Sequence, residues 1–209
     1  MKVILASSSP RRKEILNLIG LKNFETVSPK VKEIPVSMPH DVVKNALKKA
    51  KWVFNEIKPK GETLIIASDT AVSVNGRFLG KPKNEEEARK MLQTLRGRWH
   101  NVYTAISVIY SKPRKRVIKY QLDRARVFFK HISDDEIEWY IQTGEPLDKA
   151  GAYGIQGYGA LFVERIVGDY FTVMGMSPSV LYEILRDILG TYRTLELLKP
   201  PSKQNISND

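Results

Sequence analysis

The 209-residue chain is long enough for one sizeable core, in at most two lobes, and short for two independent domains. It has no cysteine, which excludes disulfides, thiolate zinc sites and cysteine nucleophiles, and its three histidines are widely separated, which argues against a histidine metal cluster. With 34 Lys+Arg against 23 Asp+Glu, the net charge of +11 suits an anionic partner such as nucleic acid, nucleotide or acidic membrane, unless the surplus lysines simply solvate the surface.

The first apolar run, "VILA", is too short for a signal peptide, and no window approaches the roughly 18 apolar residues of a membrane span, so a cytoplasmic protein is expected. Val3–Ala6 predicts a short buried strand. A helix follows over Pro10–Ile19, with Ser9 as N-cap, Pro10 in its first turn and Gly20 as its stop. Phe24–Ser28 reads as a second strand. From Pro39 to Ile57 the apolar residues Val42, Val43, Ala46, Leu47, Ala50, Val53 and Phe54 recur at i, i+1, i+4, i+5, which predicts an amphipathic helix. Thr63–Thr70 predicts a core strand running on toward Asn75-Gly76, a strong hairpin signal.

Asn84 caps a predicted helix over Glu85–Leu95. Residues 101–130 read as two strands joined near 111–115. Ser133 and Glu136 form a capping box for a helix that closes on Gly144. After a glycine-dense loop, 145–159, come two further strands, 160–167 and 170–174, joined at Gly168-Asp169. A Ser-Pro start and a glycine stop bound the last helix, within 177–190. This order predicts an α/β fold with a mixed sheet, one domain over 1–190, and a polar, partly disordered tail over 191–209.

Where the first strand gives way to the first helix the chain reads "ASSSPRR". A helix N-terminus carries unpaired N–H groups and partial positive charge, so it is a ready anion site. Ser7, Ser8 and Ser9 add hydroxyls, and Arg11 and Arg12 add guanidinium groups suited to phosphate oxygens. Two arginines in a first turn oppose the helix dipole unless an anion is near, which favours phosphate binding over a merely solvated turn. The Gly-x4-Gly-Lys pattern is absent, so this is no Walker A loop.

Asp69 ends the apolar run "TLIIAS", and strand ends are where α/β sheets bind ligands; a plain turn aspartate is the alternative. On the long helix, at about 100° per residue, Lys49 falls roughly 20° outside the apolar arc, whereas Lys44, Lys48 and Lys51 lie on its far side. Lys49 either reaches round the rim into a cleft or snorkels at a boundary. In "LDKAGAYGIQG", small residues let backbone approach a ligand and Gln156 offers an amide able to read a base edge. A flexible loop is the alternative there. Glu33 and Lys81-Pro82 are individually uninformative.

Taken together, "LASSSPRR", Glu33, Lys49, "ASDT", "GKP", "GRWHNVYTA" and "PLDKAGAYGIQG" resemble the Maf family of nucleoside triphosphate pyrophosphatases, in the family's order and spacing over about residues 1–190. The resemblance implies a mixed, curved sheet flanked by helices, two lobes around a nucleotide cleft, and a homodimer. It implies a divalent cation (magnesium or manganese) and cleavage of a nucleotide to monophosphate and pyrophosphate. Its "SPRR", "SDT" and "GIQG" variants are similar to the branch acting on dTTP and UTP. Asp69 would then be the proton acceptor, and Arg11, Thr70 and Gln156 the specificity residues. Chemically, Ser7, Ser9, Arg11, Arg12, Lys49 and Lys81 suit the phosphates, and Glu33 and Asp69 suit a hard cation. Two rivals remain. A nucleic-acid-binding regulator would use the basic "SKPRKRVIK" (111–119), which lacks interleaved aromatics. An inosine-triphosphate pyrophosphatase of similar architecture would prefer purines.

Overall fold

Three parallel strands start the sheet. In the computed structural model, which describes residues 1–198, β1 (Lys2–Ala6) lies between β2 (Glu25–Thr26) and β3 (Thr63–Val74). Three antiparallel strands extend it: β5 (Trp99–Lys112) pairs with β3, β6 (Lys115–Phe129) with β5, and β7 (Val163–Val167) with β6. The short β4 (Arg77–Leu79) pairs back onto the end of β3 through the expected hairpin, with Asn75 and Gly76 both at positive φ.

Helices cover both faces. Alternate residues of β1 and β3, among them Leu5, Leu64 and Ile66, pack against α1 (Pro10–Leu18) and α6 (Pro178–Leu189). The intervening residues, Ile4, Ala6, Ile65 and Ala67, meet Ala50 and Val53 of α2 (Pro39–Ile57). A separate core forms where β3, β5 and β6 run on beyond β1. There Val72, Val102 and Phe129 pack with α3 (Glu85–Leu95) and α4 (Asp134–Gln142). Both helices have the expected starts: Asn84 accepts from the Glu87 N–H, and Ser133 and Glu136 form their capping box. The long strands thus carry two lobes on one mixed sheet.

Several expected elements differ. The strand read over Phe24–Ser28 shrinks to two paired residues, and β7 starts at Val163 rather than at 160 because 157–162 is a 3-10 turn. Residues 170–174, expected as a strand, form helix α5 (Tyr170–Met174). The strand-favouring Tyr-Phe-Thr-Val run is overridden by its ends. Asp169 accepts from the Phe171 N–H at 2.9 Å, and Gly175 closes the helix at φ 113. Residues 191–197, placed in the tail, form α7 (Thr191–Leu197) with Thr194 fully buried; residues 199–209 of that tail lie outside the described residues. Among the described residues no helix is long and apolar enough to cross a membrane.

Since α5 stands on its cap, Asp169→Ala should cost about 1 kcal/mol. In a domain of this size that lowers Tm by about 2–4 °C. Thermal denaturation followed by circular dichroism checks it, and an unchanged Tm would mean that packing alone holds the helix.

Candidate active site

The site begins with a gap in the sheet. β1 ends at Ala6, opposite Ala67, and β4 joins β3 only at Val72. Between them, Ser68 to Ala71 of β3 have no strand on that side, and a cleft of 410 Å³ opens there between the two lobes. That volume is in the range of small-molecule sites. It also lies beyond the carboxyl end of β1, where ligands bind in open α/β sheets. In β3 every residue is buried except Thr70.

Because side chains alternate along a strand, Asp69 and Thr70 serve opposite faces of the sheet. Asp69, 5% exposed, points toward α2, where Lys49 Nζ donates to its Oδ1 at 2.5 Å. The same ammonium pairs with Glu33 Oε1 at 2.7 Å. Lys49, itself only 9% exposed, therefore reaches round the helix rim into the cleft. Glu33 lies in an extended segment without regular structure. It is held there by Asn45, whose Oδ1 accepts from the Ile34 N–H at 2.9 Å and whose Nδ2 donates to the Ile34 carbonyl at 3.1 Å. Asn45 and Lys49 stand at i and i+4 on α2, so one helix face positions both the segment and its ion-pair partner.

Burial pushes the Asp69 carboxyl above its ordinary range, with Lys49 pulling the other way by charge and hydrogen bond. For Glu33 the same burial effect is outweighed by Lys49, and its carboxyl is held below the usual value. Burial and Lys49 thus shift the two carboxyls in opposite directions.

On the opposite face a chain of hydrogen bonds fixes Thr70. Arg12 Nη2 donates to Thr70 Oγ1 at 3.4 Å, and Thr104 Oγ1 donates to the Thr172 carbonyl at 2.7 Å. The 3.0 Å contact between the two threonines is therefore a bond donated by Thr70. Arg12 also donates from Nε to the Gly175 carbonyl at 3.1 Å and from Nη1 to Ser7 Oγ at 3.2 Å. Ser68 Oγ donates to that carbonyl too, at 2.6 Å. Burial lowers the Arg12 pKa, partly offset by Asp69, but a guanidinium is not deprotonated in proteins. Arg12 has thus committed three donors to ordering the strand-to-helix turn, whereas the neighbouring Arg11 lines the cleft half-buried.

Ser7 accepts from the Ser9 N–H at 3.1 Å, and Ser9, although in the N-cap position, makes no cap bond with its own side chain. The hydroxyl nearest the helix start therefore has no hydrogen-bond partner among the described residues. Lys81 lines the far wall, joined by Asp148 and Lys149. Five cationic residues (Arg11, Arg12, Lys49, Lys81 and Lys149) and three acidic ones (Glu33, Asp69 and Asp148) line the cleft together.

Gln156 is not part of this lining. The wall ends at Gly154 and Ile155, and the Gln156 amide lies next to them, 3.5 Å from Glu14 Oε2 on α1. The basic segment 111–119 forms the β5–β6 hairpin, beside the start of β3 and so at the other end of that strand from the cleft-side residues.

Sequence reasoning missed Asn45, Ser68, Thr104 and the pair formed by Tyr153 and His100. Tyr153 lines the cleft, with its hydroxyl 2.7 Å from His100 Nε2, and burial lowers His100 to about 4, leaving it neutral at physiological pH. Asn45 alone left a trace: a polar residue set among the apolar positions of α2.

Among the described residues no group of three or more His, Asp or Glu converges as a metal cage. Two carboxylates do converge, on Lys49 Nζ, and among the described residues none donates to Asp69 Oδ2. A hard cation that takes one or two carboxylates and completes its shell with phosphate oxygens and water fits that donor set.

The chain is also similar in sequence to known proteins. A family model described as "Maf-like protein" matches residues 2–188. A Thermotoga maritima protein named dTTP/UTP pyrophosphatase is 42% identical over 186 residues, 88% of each chain. Proteins of the same name from Caldicellulosiruptor bescii and Carboxydothermus hydrogenoformans are 46% and 47% identical, spanning 90% of this chain and 95% and 98% of their own. By this match, and by the cleft that its motifs line, the chain belongs to the Maf-like protein family.

Proposed function

We propose that this protein hydrolyses dTTP and UTP to the monophosphate and pyrophosphate, by attack of water on the α-phosphorus. The observation that carries the reading is the array in which the buried Lys49–Asp69 pair is joined at the cleft surface by Glu33, inside a cationic cleft. The names of the relatives supply the bases.

Water forms the new P–O bond, the bond from the α-phosphorus to the bridging oxygen breaks, and pyrophosphate leaves. Asp69 takes the proton, and burial suits it to that task by raising its basicity. Lys49 holds Asp69 in place and offsets the charge that grows on the phosphates. Arg11, Lys81, the Ser7 and Ser9 hydroxyls and the open N-terminus of α1 form the cradle, and Arg12 fixes its shape. Glu33 and Asp69 would hold a divalent cation, magnesium or manganese, which when bound would neutralise phosphate charge. Arg11, Thr70 and Gln156 select the base end. Thr70 donates its one hydroxyl hydrogen bond to Thr104, so toward a ligand it offers an acceptor. A cytoplasmic homodimer completes the proposal, supported by the family resemblance alone; sedimentation equilibrium tests the dimer.

The wild-type enzyme with a divalent cation should release pyrophosphate from dTTP and UTP, and turn over CTP and purine triphosphates less well. Separate assays for pyrophosphate and orthophosphate decide this, and stepwise orthophosphate release through the diphosphate would overturn it. Best turnover of a purine would leave the reaction standing but not the bases.

Asp69→Asn should lower kcat by roughly 10²–10⁴-fold at saturating cation. In the wild type, kcat/KM should fall as pH drops through a pKa above the ordinary aspartate value of about 3.9, because the base works only when ionised. Lys49→Met removes the charge that stabilises the carboxylate, so the acidic limb should move to still higher pH. A limb that stays put in Lys49→Met would show that Asp69 is not the titrating group.

Gln156→Ala should narrow the preference for UTP over CTP while leaving cation affinity within about twofold, since an amide that pairs with a base edge contributes chiefly to discrimination. Equal losses for every base would remove Gln156 from base selection.

A further inference from the structure

In sequence the glycines of 145–159 suit either close approach of a ligand or a flexible loop. Two of them make room for a side chain of this protein instead. A Cβ on Gly157, which has φ +72, would lie 2.5 Å from Glu145 Oε2. A Cβ on Gly159 would collide with the Gly154 carbonyl and lie 2.5 Å from the Tyr140 hydroxyl. Both glycines are required by one carboxylate and one phenol packed beneath the segment.

Those two groups tie down both of its ends. The Gly154 N–H donates to the Tyr140 hydroxyl at 3.1 Å, and that hydroxyl donates to Glu145 Oε1 at 2.8 Å. From the other end, the Gly159 N–H donates to Oε1 at 3.1 Å and the Tyr158 N–H to Oε2 at 2.9 Å. Tyr140 is fully buried, and burial pushes its pKa up, so the phenol keeps the proton it donates. Gln156 lies midway between the anchors. Thr143 Oγ1 in turn accepts from the Glu145 N–H at 3.2 Å, which fixes the carboxylate to the end of α4.

We propose that Glu145 is a positioning residue for base selection: acting through Tyr140, Tyr158 and Gly159, it holds the segment that presents Gln156 at the cleft mouth. This rests on the assignment of Gln156 proposed above. The phosphate side is held by other contacts, those of Arg12 with Ser7 and Gly175 and those of Asn45 with Ile34, and none of them touches Glu145. Base selection and phosphate binding therefore have separate supports.

The separation makes the test specific. Glu145→Gln keeps the side chain's shape, but whichever way the amide turns, an NH₂ group meets one of the N–H or O–H donors. Hydrogen bonds to a charged group are the stronger class, so the UTP:CTP ratio of kcat/KM should fall about tenfold. The loss should enter mainly through KM for UTP, with kcat within about threefold and inhibition by inorganic pyrophosphate unchanged. Tyr140→Phe, which keeps the buried ring and loses only the hydroxyl, should shift the ratio in the same direction, and the double variant should lose less than the product of the two. Glu145→Asp should recover part of the ratio. A folded Glu145→Gln or Tyr140→Phe with the wild-type ratio overturns the inference, as does an equal weakening of pyrophosphate inhibition. A wild-type enzyme without base preference overturns the substrate proposal itself.

Discussion

A lysine ammonium held between two carboxylates, one of them deeply buried, is the constraint around which this molecule is arranged. Lys49 and Asp69 are both nearly inaccessible, and charges so placed are costly unless each meets a partner. Removing one partner of such a pair typically costs 3–5 kcal/mol, because the other charge stays buried. The pair is thus a weak source of stability and a strong source of position. It requires α2 to lie across β3 with one particular face inward, and it requires Glu33 to come close although no regular structure holds its segment. Asn45 supplies that second condition by bonding both backbone groups of Ile34.

The sheet provides the place for this pair. Had β1 run as far as β3 does, the edge from Ser68 to Ala71 would be paired and no cleft would form. Instead β1 stops at Ala6, and the chain turns at once into α1, whose start faces the gap. The same three long strands continue into the second core, so the two lobes share one continuous sheet. A cleft built this way needs no hinge to exist. Its floor is hydrogen-bonded strand, and its walls are a helix start on one side and the 148–155 segment on the other.

Polar groups in and just behind the cleft wall divide into those with open hydrogen-bonding capacity among the described residues and those already bonded. Arg12, Ser7, Ser68, Thr70 and Thr104 mostly bond one another or the Gly175 and Thr172 carbonyls. Buried polar groups left without partners would be expensive, and satisfied ones make the wall stiff. Arg11, Ser9 and Lys81 line the cleft with side chains that have no polar partner among the described residues. Preorganised donors aimed at developing charge are effective because they need not rearrange during reaction.

Local signals in the sequence determined most of the elements. The bounds of α2 and α3, the Asn75-Gly76 hairpin and the capping box of α4 follow from periodicity and cap chemistry, which act over a few residues. The reading failed where short-range preferences conflict, as in 170–174, where strand-favouring side chains lost to a capping aspartate and a terminal glycine. It failed also at 191–197, where a polar stretch becomes helical with Thr194 buried. Among the site residues, Asp69 and the serine-arginine turn were legible because strand ends and helix starts have their own chemistry. Lys49 was legible as a rim residue, but which carboxylates it meets was not, since Asp69 lies 20 residues away along the chain and Glu33 lies on an irregular segment. Tertiary structure alone decided that Arg12 is committed to the protein while Arg11 has no polar partner among the described residues, that Thr70 donates to Thr104, and that Gly157 and Gly159 make room for Glu145 and Tyr140. Each of these depends on contacts between elements distant in sequence, and such contacts leave no periodicity or spacing to be read.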